Sequence, residues 1–174
     1  MALGDGSAAS SSNLQRLEVR GRDGSGQKEV LIAWDVENAS IPIGVPVEEV
    51  EKAISNAFQY LQRRKRVSFL STLSRESFSA MLSTYGADDV DYLLHHTKLL
   101  LAPGGRKSAS THTKHLEEVE SFIVRQAQGG KAPGSVLVVI TGGEDYTHSI
   151  RQAMDAGMDV EVLHSPGQTS ANLL

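Results

Sequence analysis

The segment Val30-Leu31-Ile32-Ala33-Trp34-Asp35-Val36-Glu37-Asn38-Ala39-Ser40-Ile41-Pro42 constrains the fold of this chain most. Val30 to Trp34 is an unbroken apolar run containing β-branched residues, which suits a strand buried on both faces. It stops abruptly at Asp35, followed by Glu37 and Asn38, so Asp35 is expected where a buried strand meets the surface. In open parallel α/β sheets that edge, at the topological switch point, is where ligands bind. Asp and Asn also begin turns by bonding their own backbone, and a plain turn accounts for this pair equally well.

The rest of the chain repeats the strand-then-helix alternation. After the first strand, Pro46 opens a helix in which Val47, Val50, Ile54, Phe58 and Leu61 recur at spacings of three and four. Glu48, Glu49 and Glu51 sit in its first turns and Arg63-Arg64-Lys65-Arg66 closes it, both matching the helix dipole. Val67–Leu70 reads as a second strand, and Ser74 caps a helix that runs through Tyr85 and stops at Gly86. Asp88 to His96 adds a short helix with Val90, Leu93 and Leu94 inward, and Leu99-Leu100-Leu101 is a buried strand ending at Pro103-Gly104-Gly105. A helix from Ser110 to Gln128 follows, with Leu116, Val119 and Ile123 on its buried face. Val136–Ile140 is the central strand. Thr141-Gly142-Gly143-Glu144-Asp145-Tyr146 turns from it into a helix with Ile150, Ala153 and Met154 inside and Gly157 as its stop. Val160–Leu163 alternates enough to close the sheet as an edge strand. This order predicts an α/β three-layer sandwich, Rossmann-like, with about five mainly parallel strands and right-handed crossovers.

Residues 1–27, rich in Ser, Gly and Ala, are expected to be a disordered tail, residues 28–165 the domain and 166–174 a second tail. The Arg and Ser content of the first tail suits an organelle presequence, whereas Asp5, Glu18 and Asp23 weigh against one. The chain has 174 residues, 40% hydrophobic and 22% charged, enough to bury a core and ordinary for a soluble intracellular domain. With no cysteine, disulfides, thiolate nucleophiles and sulfur-ligated zinc are excluded. The longest apolar runs are too short to span a bilayer, so no membrane role is expected. A net charge of −4 confines any nucleic-acid contact to a local surface.

Trp34-Asp35-Val36-Glu37-Asn38, with Ile41-Pro42 and Gly44 after it, resembles the opening motif of NYN domains, members of the PIN-like ribonuclease superfamily. The similarity runs from about Val30 to the C-terminus. It implies a PIN-like sheet whose clustered acids hold a divalent metal, Mg²⁺ or Mn²⁺, against RNA. On that resemblance Asp35 is a metal-binding acid and Asn38 its accompanying amide. The family's second acid opens the third large helix after a Gly-Gly-Lys-Asn-Ser-Ala-Asp loop. Here Gly104-Gly105-Arg106-Lys107-Ser108-Ala109-Ser110 puts Ser110 in that place, or Thr113 if the helical phase is aligned. The family's Ser-Gly-Asp-x-Asp-Phe is matched by Thr141 to Tyr146, where Gly143 replaces the first acid and Asp145 keeps the second. Two of the four acids are therefore missing, which leaves Asp35 and Asp145 as metal ligands and Glu144 as the one nearby acid able to compensate.

One or two carboxylates plus substrate phosphates can hold Mg²⁺, so a weak metal site and an active endoribonuclease stay open. Losing half the charge lowers metal affinity and leaves less to position water and leaving oxygen, which implies a weakened or inactive enzyme. Ser110, Thr113 and Lys114 at a helix N-terminus, with Arg106 and Lys107 beside it, form a candidate phosphate site for RNA. Ser110 is equally explained as a helix cap. His112 and His115, one turn apart, could chelate a transition metal with His148 or His95, and His112 could act in acid–base chemistry, although no partner residues are visible in the sequence. The expectation is thus a ribonuclease-like module that binds RNA or a ribonucleoprotein partner. A structural subunit of a larger assembly is the third reading.

Overall fold

The computed structural model describes residues 15–19, 28–62, 65–102 and 109–164. Its strands are β1 (Gln15–Val19), β2 (Lys28–Trp34), β3 (Lys65–Ser74), β4 (Lys98–Ala102), β5 (Val136–Ile140) and β6 (Asp159–His164). Its helices are α1 (Val47–Ala57), α2 (Gln59–Gln62), α3 (Arg75–Tyr85), α4 (Ala87–His96), α5 (Ala109–Gln128) and α6 (Thr147–Asp155), with a 3₁₀ turn at Glu144–Tyr146. The strands form one six-stranded sheet in the order β1-β6-β5-β2-β3-β4. From β2 to β6 all neighbours are parallel, and β1 pairs antiparallel with β6.

The expected α/β three-layer sandwich is what forms. Alternation along the strands divides the core in two. Val30, Ile32 and Trp34 of β2, with Val136, Val138 and Ile140 of β5, pack beneath α1, α3 and α4. Leu31 and Ala33, with Leu137 and Val139, face α5 and the region of α6 through Val119, Phe122, Ile123 and Ala153. Both faces of β2 and β5 are covered, and this is why each reads as a continuous apolar run.

Several local expectations are corrected. Gln15–Val19, placed in the disordered tail, is a strand, with Gln15 opposite His164 and Val19 opposite Val160. From Arg16 to Val19 the strand alternates polar and apolar residues, and the outer backbone groups of β6 need partners. Consequently β6 is interior rather than an edge, and the edges are β1 and β4. β3 is longer than the expected Val67–Leu70 because it serves two partners: residues from Lys65 pair with β2, and Leu70–Ser74 pair with β4. Lys65 and Arg66 therefore begin a strand instead of closing a helix, Arg66 lying opposite Glu29. Arg63 and Arg64 lie outside the described residues, as do residues 166–174. Leu94 and Met154, expected inside, are 43% exposed, because Val90 with Leu93 and Ile150 with Ala153 already fill the inward stripes of α4 and α6.

Long-range caps fix the loops at one end of the sheet. Pro46 ends the loop before α1 without a capping side chain, and Asp89 of α4 accepts from the Val47 N–H at 2.9 Å instead. Glu37 accepts from the Ser74 N–H at 2.8 Å and the Ser77 hydroxyl at 2.7 Å, so it caps α3. Burial opposes ionisation of Glu37, but these donors outweigh it and hold its pKa below the usual carboxylate value. The Tyr85 hydroxyl donates to the Ile41 carbonyl at 2.6 Å, and Trp34 Nε1 donates to the Ala39 carbonyl at 2.8 Å. Among the described residues no helix is long and apolar enough to cross a membrane.

Candidate functional site

The chain moves outward from β2 through β3 to β4, then returns to place β5 on the other side of β2. The sheet order thus reverses between β2 and β5, and the residues after those two strands share the crevice that this reversal opens. Asp35 follows β2 and Thr141 follows β5. The Asp35 N–H donates to the Ile140 carbonyl at 2.9 Å, which ties the two exits together.

Asp35 is 5% exposed, and its carboxylate is heavily engaged. Oδ2 accepts from Asn38 Nδ2 at 2.8 Å and from the Thr141 hydroxyl at 3.2 Å, while Oδ1 accepts from the Asn38 N–H at 3.3 Å. The Asp35 carbonyl also accepts from the N–H groups of Asn38 and Ala39. Asp35 and Asn38 therefore build a turn, and that turn leaves a buried carboxylate at the end of β2 beside Thr141.

The structure brings Asp145 to the same place. Its carboxylate belongs to the 3₁₀ turn after β5 and is 62% exposed. A Cβ built on Gly143 would lie 3.6 Å from Thr141 Oγ1, 3.8 Å from Asp145 Oδ2 and 3.9 Å from Asn38 Nδ2, so Gly143 stands among the site side chains. Glu144 is exposed, and the carboxylate that faces the helix across the crevice is that of Asp145.

From α5 the residue that reaches the acids is His112, a site residue that neither of the alignments at Ser110 and Thr113 selects. His112 Nε2 lies 3.3 Å from Asp145 Oδ2, and Nδ1 lies 3.9 Å from Asp35 Oδ2. Nε2 is buried, and its approach to Asp145 lacks hydrogen-bond geometry. Tyr146 packs edge-on against the ring, with centroids 5.2 Å apart. The sequence carried the signal: 112, 116, 119 and 123 form one row at helical spacing, and Val119 and Ile123 are buried against the sheet. Thr113 and Lys114 are exposed instead, and Lys114 lines a cavity of about 230 Å³ with Leu100, Glu117, Glu118 and Ser121 between α5 and β4. α5 places Ser110 in its first turn, and Arg106 and Lys107 lie outside the described residues.

Below His112 sits a buried polar pair. The Tyr146 hydroxyl and His115 Nδ1 share a hydrogen bond of 3.0 Å, and both residues are almost wholly buried. Burial raises the phenol pKa well above the ordinary range, and the charge of Asp35 and a hydrogen bond to it raise it further. The other ring nitrogen of His115, Nε2, is buried and has no partner. Burial lowers the His115 pKa to about 4; the Asp35 charge opposes this and His112 adds to it.

The two histidines do not converge with His148 or His95 on a transition metal. His115 is spent on Tyr146, His148 is exposed, and His95 bonds the Asp91 carbonyl on α4, across the sheet. Nor do the acids fit a divalent ion as arranged. Asp35 Oδ2 already accepts two protein donors, and the nitrogens of one imidazole lie 3.9 Å from it and 3.3 Å from Asp145 Oδ2. Among the described residues no group of three His, Cys, Asp or Glu side chains is set to hold a metal ion. In sequence, no family model matches this chain and no curated protein matches it.

Proposed function

We propose that this chain is an NYN-type, PIN-like domain of RNA metabolism. In this reading it is a ribonuclease-like module whose catalysis is weakened or lost, and it binds RNA or a ribonucleoprotein partner at the sheet-end crevice. One observation carries the reading: Asp35, Asn38 and Asp145, the residues matching the family's motifs, come from two separate loops and meet at the switch point between β2 and β5. In such a sheet the switch point is where ligands bind. Gly143 in the place of one acid supports the reading of weakened or lost catalysis, as does His112, whose nitrogens lie 3.9 Å from Asp35 and 3.3 Å from Asp145.

The test uses the full chain and a fluorescent single-stranded RNA, in EDTA and in Mn²⁺, with Asp35→Asn and an Arg106→Ala/Lys107→Ala double variant alongside. The expected result is binding in EDTA that weakens with salt, no metal-dependent cleavage, and a shallower salt slope in the double variant. Each lost phosphate contact on a single strand lowers that slope by about 0.7. Mn²⁺-dependent cleavage that Asp35→Asn abolishes would make the chain an active endoribonuclease. No salt-dependent binding would leave the structural-subunit reading.

A further inference from the structure

We propose that the first two turns of α5, residues 109–115, are a lid over the crevice, and that opening the lid lets the buried hydroxyl of Thr72 hydrogen-bond an oxygen of the ligand. The lid itself rests on the packing of α5. That the ligand oxygen belongs to an RNA backbone rests on the function proposed above.

The register of the sheet places Thr72 beside Asp35. Trp34 pairs with Ser71 of β3 and with Ile140 of β5, so the residues that follow, Thr72, Asp35 and Thr141, form one row across β3, β2 and β5. Thr72 stands opposite Leu100, and Leu70 and Leu100 belong to the core beneath α5, so alternation puts Thr72 on the α5 face of the sheet. Ala33 and Val139 assign Asp35 and Thr141 to the same face. Thr72 is 1% exposed, and its hydroxyl has no partner. On α5, His115 is equally buried: Nδ1 is engaged with the Tyr146 hydroxyl at 3.0 Å, and Nε2 has no partner.

The two halves of α5 are held to the sheet differently. Val119, Phe122 and Ile123 pack into the apolar core, and beyond them Gln126 donates to Glu29 Oε2 at 2.8 Å and accepts from the Ser135 hydroxyl at 3.1 Å. The first two turns instead bury Thr111 and His115 at the polar end of the sheet that holds Asp35. His112 approaches Asp145 there at 3.3 Å without hydrogen-bond geometry, so it adds no hydrogen bond to the seat. A buried polar atom left unpaired costs free energy that water or a ligand recovers, and the seat of this half is therefore the weaker one. Opening it uncovers Thr72 and Nε2 of His115 and leaves the apolar half in place. A hydroxyl donates well to an anionic oxygen, which suits Thr72 to a phosphodiester.

The experiment follows amide hydrogen exchange by nuclear magnetic resonance on the full chain without RNA, in the wild type and in Thr72→Val. The N–H groups of residues 113–118 close the first turns of α5 and report on the lid, and those of residues 120–126 report on the apolar half. In the wild type the first set should exchange at least about tenfold faster than the second. Thr72→Val should slow the first set by at least about threefold, leave the second unchanged and raise the urea midpoint, because a methyl group removes the unpaired hydroxyl from the closed seat. A helix end that only frays would not respond to a residue on β3. Equal exchange in the two halves of the wild type overturns the lid, and this comparison decides alone should the variant fail to fold. Thr72→Val with unchanged or faster exchange at 113–118 overturns it too, the faster rate meaning that the hydroxyl is already paired beneath the closed helix. With fluorescent single-stranded RNA in EDTA, Thr72→Val should bind about tenfold more weakly, as for one lost hydrogen bond to a charged oxygen, and equal binding overturns that contact. No RNA binding by the wild type would overturn the proposed function and the RNA contact together, while the lid stands or falls by exchange alone.

Discussion

The buried Tyr146–His115 pair makes the stability of this protein fall on the acid side in a way that one side chain controls. Burial holds His115 neutral in the folded chain down to about pH 4, whereas the unfolded chain takes up that proton near 6.5. Between those values the unfolded state binds more protons, so stability rises with pH across the window. The contribution is fully present above 6.5 and is lost as pH falls toward 4. The separation of the two midpoints corresponds to about 3 kcal/mol, lost at up to about 1.4 kcal/mol per pH unit. Burial sets the sign: it outweighs Asp35, which favours protonation, and His112 adds to it. Substituting His115→Leu removes the titration; it also takes from the buried Tyr146 hydroxyl its hydrogen-bond partner, at a cost of about 1–3 kcal/mol that is the same at both pH values. Urea melts of both proteins at about pH 7.5 and about pH 4.5 give the difference directly, free of the carboxylates common to both. Wild type should lose more stability than the variant by a margin approaching 3 kcal/mol. A gap between the two proteins that is the same at both pH values would refute the assignment of a buried neutral imidazole.

Asp89→Ala should cost about 1–2 kcal/mol in urea unfolding, because the Asp89 carboxylate caps the first N–H of α1; Asp89→Asn should restore most of it. Glu37→Ala should cost about 1–3 kcal/mol by stripping the Ser74 N–H and Ser77 hydroxyl of their acceptor. Because the folded pKa of Glu37 is lowered from 4.5, the wild-type advantage should be present above that value and vanish as the pH falls through the lowered folded value, which acid titration of both proteins measures. Gly143→Asp should be accommodated, since Gly143 has an ordinary φ of −93° and a Cβ there meets nothing closer than 3.6 Å. Because it restores an acid beside Asp145, it should tighten Mn²⁺ binding relative to the wild type by about tenfold, measured by the electron paramagnetic resonance signal of the free ion.

What could be read in advance was set by how local its cause is. Val30–Trp34 and Val136–Ile140 announce themselves because strands covered on both faces have no polar residue to spare. Ser74 and Gly86 mark the ends of α3 because caps act through their immediate neighbours: Ser74 accepts from the Ser77 N–H, and Gly86 has a φ of 91°. The placement of β5 beside β2, the cover that β1 gives β6, and the capping of α1 from Asp89 depend on residues more than forty positions away or on the order of strands, and no local pattern encodes them. The site residue on α5 is an intermediate case. Counting along a motif led to Ser110 or Thr113, while the row of Leu116, Val119 and Ile123 extends back to residue 112. Position on a helix is decided by which face is buried, so the row is the better guide wherever a loop before the helix leaves the starting point of the count undefined.

The hydrogen bonds at Asp35 also decide how any functional test of this acid must be judged. Asn38 gives both its amide and its backbone N–H to the carboxylate, and Thr141 joins β5 to it from across the switch point. Asp35→Asn replaces an oxygen that accepts donors with an NH₂ that cannot accept: at Oδ2 it strips Asn38 Nδ2 and the buried Thr141 hydroxyl of their acceptor, and at Oδ1 it leaves the Asn38 N–H only the Asp35 carbonyl. An unpaired buried donor costs about 1–3 kcal/mol. The variant should therefore unfold at lower urea concentration than the wild type as well as lose any metal. Activity or binding lost in Asp35→Asn counts as chemistry only where the protein is still folded at the assay temperature. If instead the variant matches wild-type stability, the carboxylate is not the hub of the turn, and the crevice is held by backbone contacts such as the Asp35 N–H to the Ile140 carbonyl.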